Sequence, residues 1–107
     1  MKLVVAIINN DDCQTVLGAI TREGFSATKL STSGGFLRAG NVTLLIGVEE
    51  ERLDTLVGII KEFSSKRTQY VTPSPSYAAE SFVTRPVEVA VGGATVFVLD
   101  VEQFYKI

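Results

Sequence analysis

Between Phe25 and Asn41 the chain gathers residue types suited to an anionic ligand with a planar base. Thr28 and Asn41 offer directional hydrogen bonds, Gly34, Gly35 and Gly40 allow backbone amides to approach phosphate oxygens closely, and Arg38 adds a positive charge. Phe36 and Leu37 supply apolar surface on which a base could lie. The combination suits a nucleotide. It is neither a Walker A loop, since no Gly-Lys-Ser/Thr is present, nor a GxGxxG fingerprint following a strand. The same residues also read as a flexible connection whose Phe36 packs on a neighbour.

Other familiar chemistries are excluded by composition. The 107 residues contain no histidine and one cysteine, which removes His-based triads, HExxH zinc sites, Cys-His dyads and internal disulfides. Cys13 falls on an apolar helix face and reads as core. Glu49, Glu50 and Glu51 diverge around a helix start, where they favour the positive end of the helix dipole rather than form a metal or acid–base pair. No catalytic residue, metal ligand or cofactor is expected. Ten basic against twelve acidic residues leave a net charge of −2, which gives no electrostatic footprint for DNA, RNA or an anionic membrane. The apolar run Leu3–Ile8 is too short for a signal h-region or a membrane span, so a cytoplasmic location is expected.

These residues need a scaffold, and 107 residues at 46% hydrophobic content suffice for a single domain, 1–107. Lys2–Ile8 reads as a strand, and Asp11 with Gln14 has the form of a capping box ahead of a helix burying Cys13, Val16, Leu17 and Ile20. Gly24 suits the helix end, Phe25–Ser31 returns as a second strand, and residues 32–41 form a short loop. Val42–Val48 is a third strand. A second helix buries Leu53, Leu56, Val57, Ile60 and Phe63, with Lys61, Lys66 and Arg67 near its end.

Residues 68–85 lose periodicity and carry Pro73 and Pro75, which predicts a long exposed loop. Within it Tyr70, Tyr77 and Phe82 could stack on a base, dock a partner or shield a surface. Pro86–Val91, Gly92-Gly93 and Ala94–Leu99 read as a hairpin, and Val101–Ile107 as a tail with about one helical turn. The order predicts an α+β, ferredoxin-like βαββαβ domain with an additional C-terminal strand, sheet and helices in two layers. Strands one and three are apolar on both faces, whereas two helices can cover only one. Identical subunits are the simplest cover, and an obligate oligomer is expected.

The run Ala27-Thr-Lys-Leu, then Gly34-Gly-Phe-Leu-Arg-Ala-Gly-Asn41, Gly47-Val48, Pro86-Val-Glu-Val and Val91-Gly-Gly-Ala-Thr-Val-Phe-Val98 closely resembles the PII-like cyclic di-AMP receptor family over nearly the whole chain. The resemblance implies a ferredoxin-like homotrimer that binds cyclic di-AMP between subunits and acts as a signal receptor, not an enzyme. It also implies roles for residues. Thr28 would reach a phosphate, Gly35, Phe36 and Leu37 would pack on an adenine, Asn41 and Gly47 would hydrogen-bond or border it, and Ala27, Gly92 and Phe97 would lie nearby. Where family members often carry a basic residue, this chain has Ser26. True PII nitrogen regulators differ: the 32–41 loop lacks their tyrosine, and the later loop lacks their basic ATP-binding motif.

The leading expectation is therefore a cytoplasmic cyclic di-AMP receptor that changes loop conformation to signal to an unidentified downstream protein. An ATP sensor of true PII type and a nucleotide phosphohydrolase are the alternatives. The second lacks a histidine, a metal-ligand cluster and any carboxylate between Gly34 and Asn41.

Overall fold

The computed structural model describes residues 1–30, 40–71 and 87–107. Strand β1 (Lys2–Asn9) leads through a single 3₁₀ turn, Asn10–Asp12, into helix α1 (Cys13–Arg22). The turn is capped by Asn9, whose side chain accepts the backbone N–H of Asp11 at 2.8 Å. The expected Asp11–Gln14 capping box does not form, and Asp12 makes no side-chain cap at α1. Asn9 takes over because it is the last extended residue before the turn, with φ −67° and ψ 139°, the geometry from which a side chain caps.

Helix α1 ends in paired bonds, Gly24 N–H to Thr21 C=O and Phe25 N–H to Ile20 C=O, both 3.0 Å, with Gly24 at φ +84° as the left-handed cap requires. Phe25 is thereby turned into the core, so β2 starts at Ala27 rather than Phe25 and runs to Leu30. β3 (Asn41–Val48) includes Asn41, which was expected in the loop. A further 3₁₀ turn, Glu50–Arg52, opens helix α2 (Leu53–Ser64), and β4 (Arg67–Val71), β5 (Val87–Val91) and β6 (Ala94–Asp100) complete the order.

The strands form two antiparallel sheets, one ordered β2-β3-β1-β6 and one containing β4 and β5. Three expectations are corrected here. Residues 68–71 are strand, not loop, because Arg67–Val71 pairs with Val87–Val91. Gly92-Gly93 does not close a β5–β6 hairpin; both glycines have positive φ, and they carry the chain from one sheet to the other, where β6 pairs with β1. The strands beyond the minimal βαββαβ order are thus β4 and β5, inserted before β6, and no additional C-terminal strand follows it. The tail is held at its start by Val101 N–H to Met1 C=O and has no helical turn.

Both helices pack on one face of the four-stranded sheet. Val4, Ala6 and Ile8 of β1 and Val42, Leu44, Ile46 and Val48 of β3 meet Cys13, Val16 and Ile20 of α1 and Leu56 and Ile60 of α2. The opposite face has no such cover among the described residues: Leu3, Val5, Ile7 and Leu45 are half-buried, and Phe97 and Leu99 are 53% and 47% exposed.

Candidate functional site

The sheet register places the predicted ligand residues. Directly paired residues of neighbouring strands share a face, so Thr28↔Leu45, Leu45↔Val5 and Val5↔Phe97 form one row across the open face. Thr28 stands at one edge of this row and Phe97 at the other. With strands about 4.8 Å apart, roughly 14 Å separates their backbones. Gly47 lies on the same face beside Leu3, and a side chain there would meet nothing within 4 Å among the described residues, which leaves its backbone open on that side. Ala27 pairs with Ile46 and packs against the core, on the face opposite Thr28.

Two clefts collect the remaining described candidates. Asn41 and Gly92 line a cleft of about 290 Å³ with Ile7, Lys66 and Thr95. The juxtaposition follows from topology: Asn9↔Asn41 and Ile8↔Ala94 bring the start of β3 and the start of β6 to the same end of β1. Gly47 borders a second cleft of about 230 Å³ with Ser26, Glu49 and Arg52. Arg52 is held there by stacking 4.1 Å from the Phe25 ring centre and by donating to Glu23 C=O at 2.6 Å. Gly35, Phe36 and Leu37 lie outside the described residues.

Sequence reasoning missed Asp12 and Arg67. The Asp12 carboxylate is only 7% exposed and accepts from Arg67, Nη2 to Oδ1 at 2.7 Å and Nη1 to Oδ2 at 3.3 Å. This pairing raises the Arg67 pKa further above its ordinary value, the hydrogen bond to Asp12 being the larger cause. Fifty-five residues separate the two, and neither stands in a recognisable motif. Cys13, by contrast, is buried in the core as read.

The described candidates comprise an open glycine backbone, a hydroxyl, an amide and an exposed aromatic. They can hold phosphate and base by hydrogen bonds and stacking. Among known families, the model described as "Cyclic-di-AMP receptor" matches residues 1–107. The chain belongs to the cyclic-di-AMP receptor family. Membership of this receptor family supports binding of cyclic di-AMP and a role in signalling rather than catalysis. Among solved structures, the receptor is similar to "a functionally unknown protein from Pediococcus pentosaceus ATCC 25745", with 43% identity and a TM-score of 0.78. That match covers 99% of this chain and 96% of the other. Among the described residues of the receptor, no helix is long and apolar enough to cross a membrane.

Proposed function

We propose that this receptor is a PII-like homotrimer with a ferredoxin-like core. It binds cyclic di-AMP at subunit interfaces and signals by a changed loop conformation to a downstream protein in the cytoplasm, without turnover. The observation that carries the reading is the row Thr28–Leu45–Val5–Phe97 on an open apolar face. Its two polar or aromatic ends are too far apart for one adenine to touch both within a chain, so a ring of copies that sets the Phe97 edge of one against the Thr28 edge of the next would complete the site. The strand order β2-β3-β1-β6 supports the ferredoxin-like reading.

In the composite site Thr28 donates to a phosphate. Asn41 and the Gly47 backbone hold the adenine edge, Gly35, Phe36 and Leu37 pack on its face, and Phe97 comes from the adjoining subunit, with Ala27 and Gly92 bordering. A stacked base contributes about 1–3 kcal/mol and each hydrogen bond to a charged group about 1.5–3. A few such contacts are enough for micromolar binding after association costs. Parallel calorimetric titration with cyclic di-AMP and ATP, with mass spectrometry of both after incubation, tests the reading. Saturable binding of intact cyclic di-AMP, with weaker or no ATP binding, is the expected result; preference for ATP or appearance of cleavage products overturns it.

A further inference from the structure

We propose that Arg67 is a positioning residue. Its ion pair with Asp12 ties both walls of the Asn41–Gly92 cleft to the base of the β4–β5 pair, so that a change at the cleft is felt along β4. The proposal rests on the reading that this cleft belongs to the cyclic di-AMP site.

Asp12 stands at the N-cap position of α1, yet its side chain makes no cap bond, and its buried carboxylate is spent on Arg67 instead. A buried carboxylate needs such a partner, because removing it leaves a charge without compensation. The guanidinium is held on three sides. Nη1 also donates to Ser65 C=O at 3.2 Å, at the end of α2, and Gly92 sits directly over it. A Cβ at Gly92 would fall 2.5 Å from Nη1 and 2.8 Å from the Ser65 oxygen. One wall of the cleft therefore rests on the Arg67 head.

The other wall is tied to the same pair through the turn that carries Asp12. Asn10 N–H donates to Gly40 C=O, immediately before Asn41, and Asp12 lies two residues beyond Asn10 in the same 3₁₀ turn. Arg67 is also the first residue of β4, paired with Val91. Displacing Asn41 or Gly92 therefore pulls on the ion pair, and the pair's other end is the strand. Lys66 lines the cleft but makes none of the described side-chain hydrogen bonds, so the tie falls to Arg67.

Hydrogen exchange on the full chain tests this with Arg67→Gln, Arg67→Lys and Asp12→Asn. In the free protein, amides of 67–71 and 87–91 are expected to exchange about tenfold faster or more in Arg67→Gln, with β1 and β3 unchanged and Arg67→Lys intermediate. Unchanged exchange in Arg67→Gln overturns the tie. So does a uniform rise that includes β1 and β3, which marks a general stabiliser. If Asp12→Asn does not fold, the two Arg67 variants decide alone.

With cyclic di-AMP added, wild type is expected to gain protection in β4 and β5. Arg67→Gln should bind within about tenfold of wild type, an ordinary coupling magnitude, but lose that gain. A full ligand-dependent gain in Arg67→Gln, or none in a wild type that binds, overturns the coupling while leaving the ligand assignment intact. A wild type that does not bind cyclic di-AMP removes the assignment, and the free-protein comparison still decides whether Arg67 anchors the strands.

Discussion

Gly92 and Gly47 are both predicted ligand neighbours, and they make opposite demands on a side chain. Gly92 has φ +78° and a Cβ there would press on the Ser65 carbonyl, a backbone atom that cannot swing aside. Gly92→Ala should cost about 1–2 kcal/mol from the left-handed backbone alone, and more from the contact, read as a lowered melting temperature. Gly47 has open space around it and no positive φ. Gly47→Ala should leave stability within about 0.5 kcal/mol, so any loss of cyclic di-AMP affinity reports a direct clash with ligand; unchanged affinity would remove Gly47 from the site. Phe36→Ala should weaken binding by about 1–3 kcal/mol, the range for lost base stacking, while Phe36→Tyr is mild. Side-chain chemistry alone nominates Thr28 and Asn41, and the structure puts Thr28 in the row across the open face and Asn41 at a cleft. Asp12 and Arg67 were not legible, because a surface arginine and one acid of an Asn-Asn-Asp-Asp run carry no local mark of their distant pairing.

At the scale of elements, the parts read well from sequence are those whose signal is local. β1 and β3 are continuous apolar runs, and α1 and α2 bury residues at helical spacing, Cys13, Val16 and Ile20 in one and Leu56 and Ile60 in the other. The β4–β5 pair was missed since its partners, Arg67 and Val91, lie in separate stretches joined by a proline-bearing segment. The glycine pair before β6 mimics a hairpin turn, and only the competition won by β1 reveals that β6 leaves. Two contacts favour β1 as the partner of β6: Val96 packs on the core, and Lys2 of β1 pairs with Asp100 at the strand's end. The hydrogen bond from Lys2 holds the Asp100 carboxyl below the usual carboxylate range, with its charge as the second cause. A carboxylate depressed in the folded state adds stability above its unfolded pKa and loses it as pH falls through the folded one. Asp100→Asn should therefore lower the melting temperature at neutral pH and flatten its decline below about pH 4, and 1 M salt should reproduce the neutral-pH loss in wild type, since Asp100 is exposed. An equally steep acid decline in the variant would mean that the pair does not secure β6. Deep in the same sheet, Leu44→Ala should cost about 2–5 kcal/mol in denaturant unfolding, since Leu44 is fully buried under the helices.

For the whole molecule, the decisive feature is the face that the two helices leave bare. Leu3, Val5, Ile7 and Leu45 stand there beside exposed Phe97 and Leu99, a continuous apolar surface of the kind that marks an interface. Light scattering should give three times the 11.5 kDa chain mass at micromolar concentration. Val5→Glu separates assembly from ligand contact. Val5 is at the centre of the Thr28–Phe97 row, points away from the helices and has no proposed contact with cyclic di-AMP. A carboxylate there can stay hydrated in a lone subunit, because that face is open, but would be desolvated without a partner in the trimer. The variant should keep its far-ultraviolet circular dichroism, elute as a monomer and lose cyclic di-AMP binding, although Thr28, Asn41 and Gly47 are untouched. A monomeric wild type would remove the intersubunit site. A monomeric Val5→Glu protein that binds as tightly as wild type would place the whole site within one chain, leaving Phe97 without a ligand role.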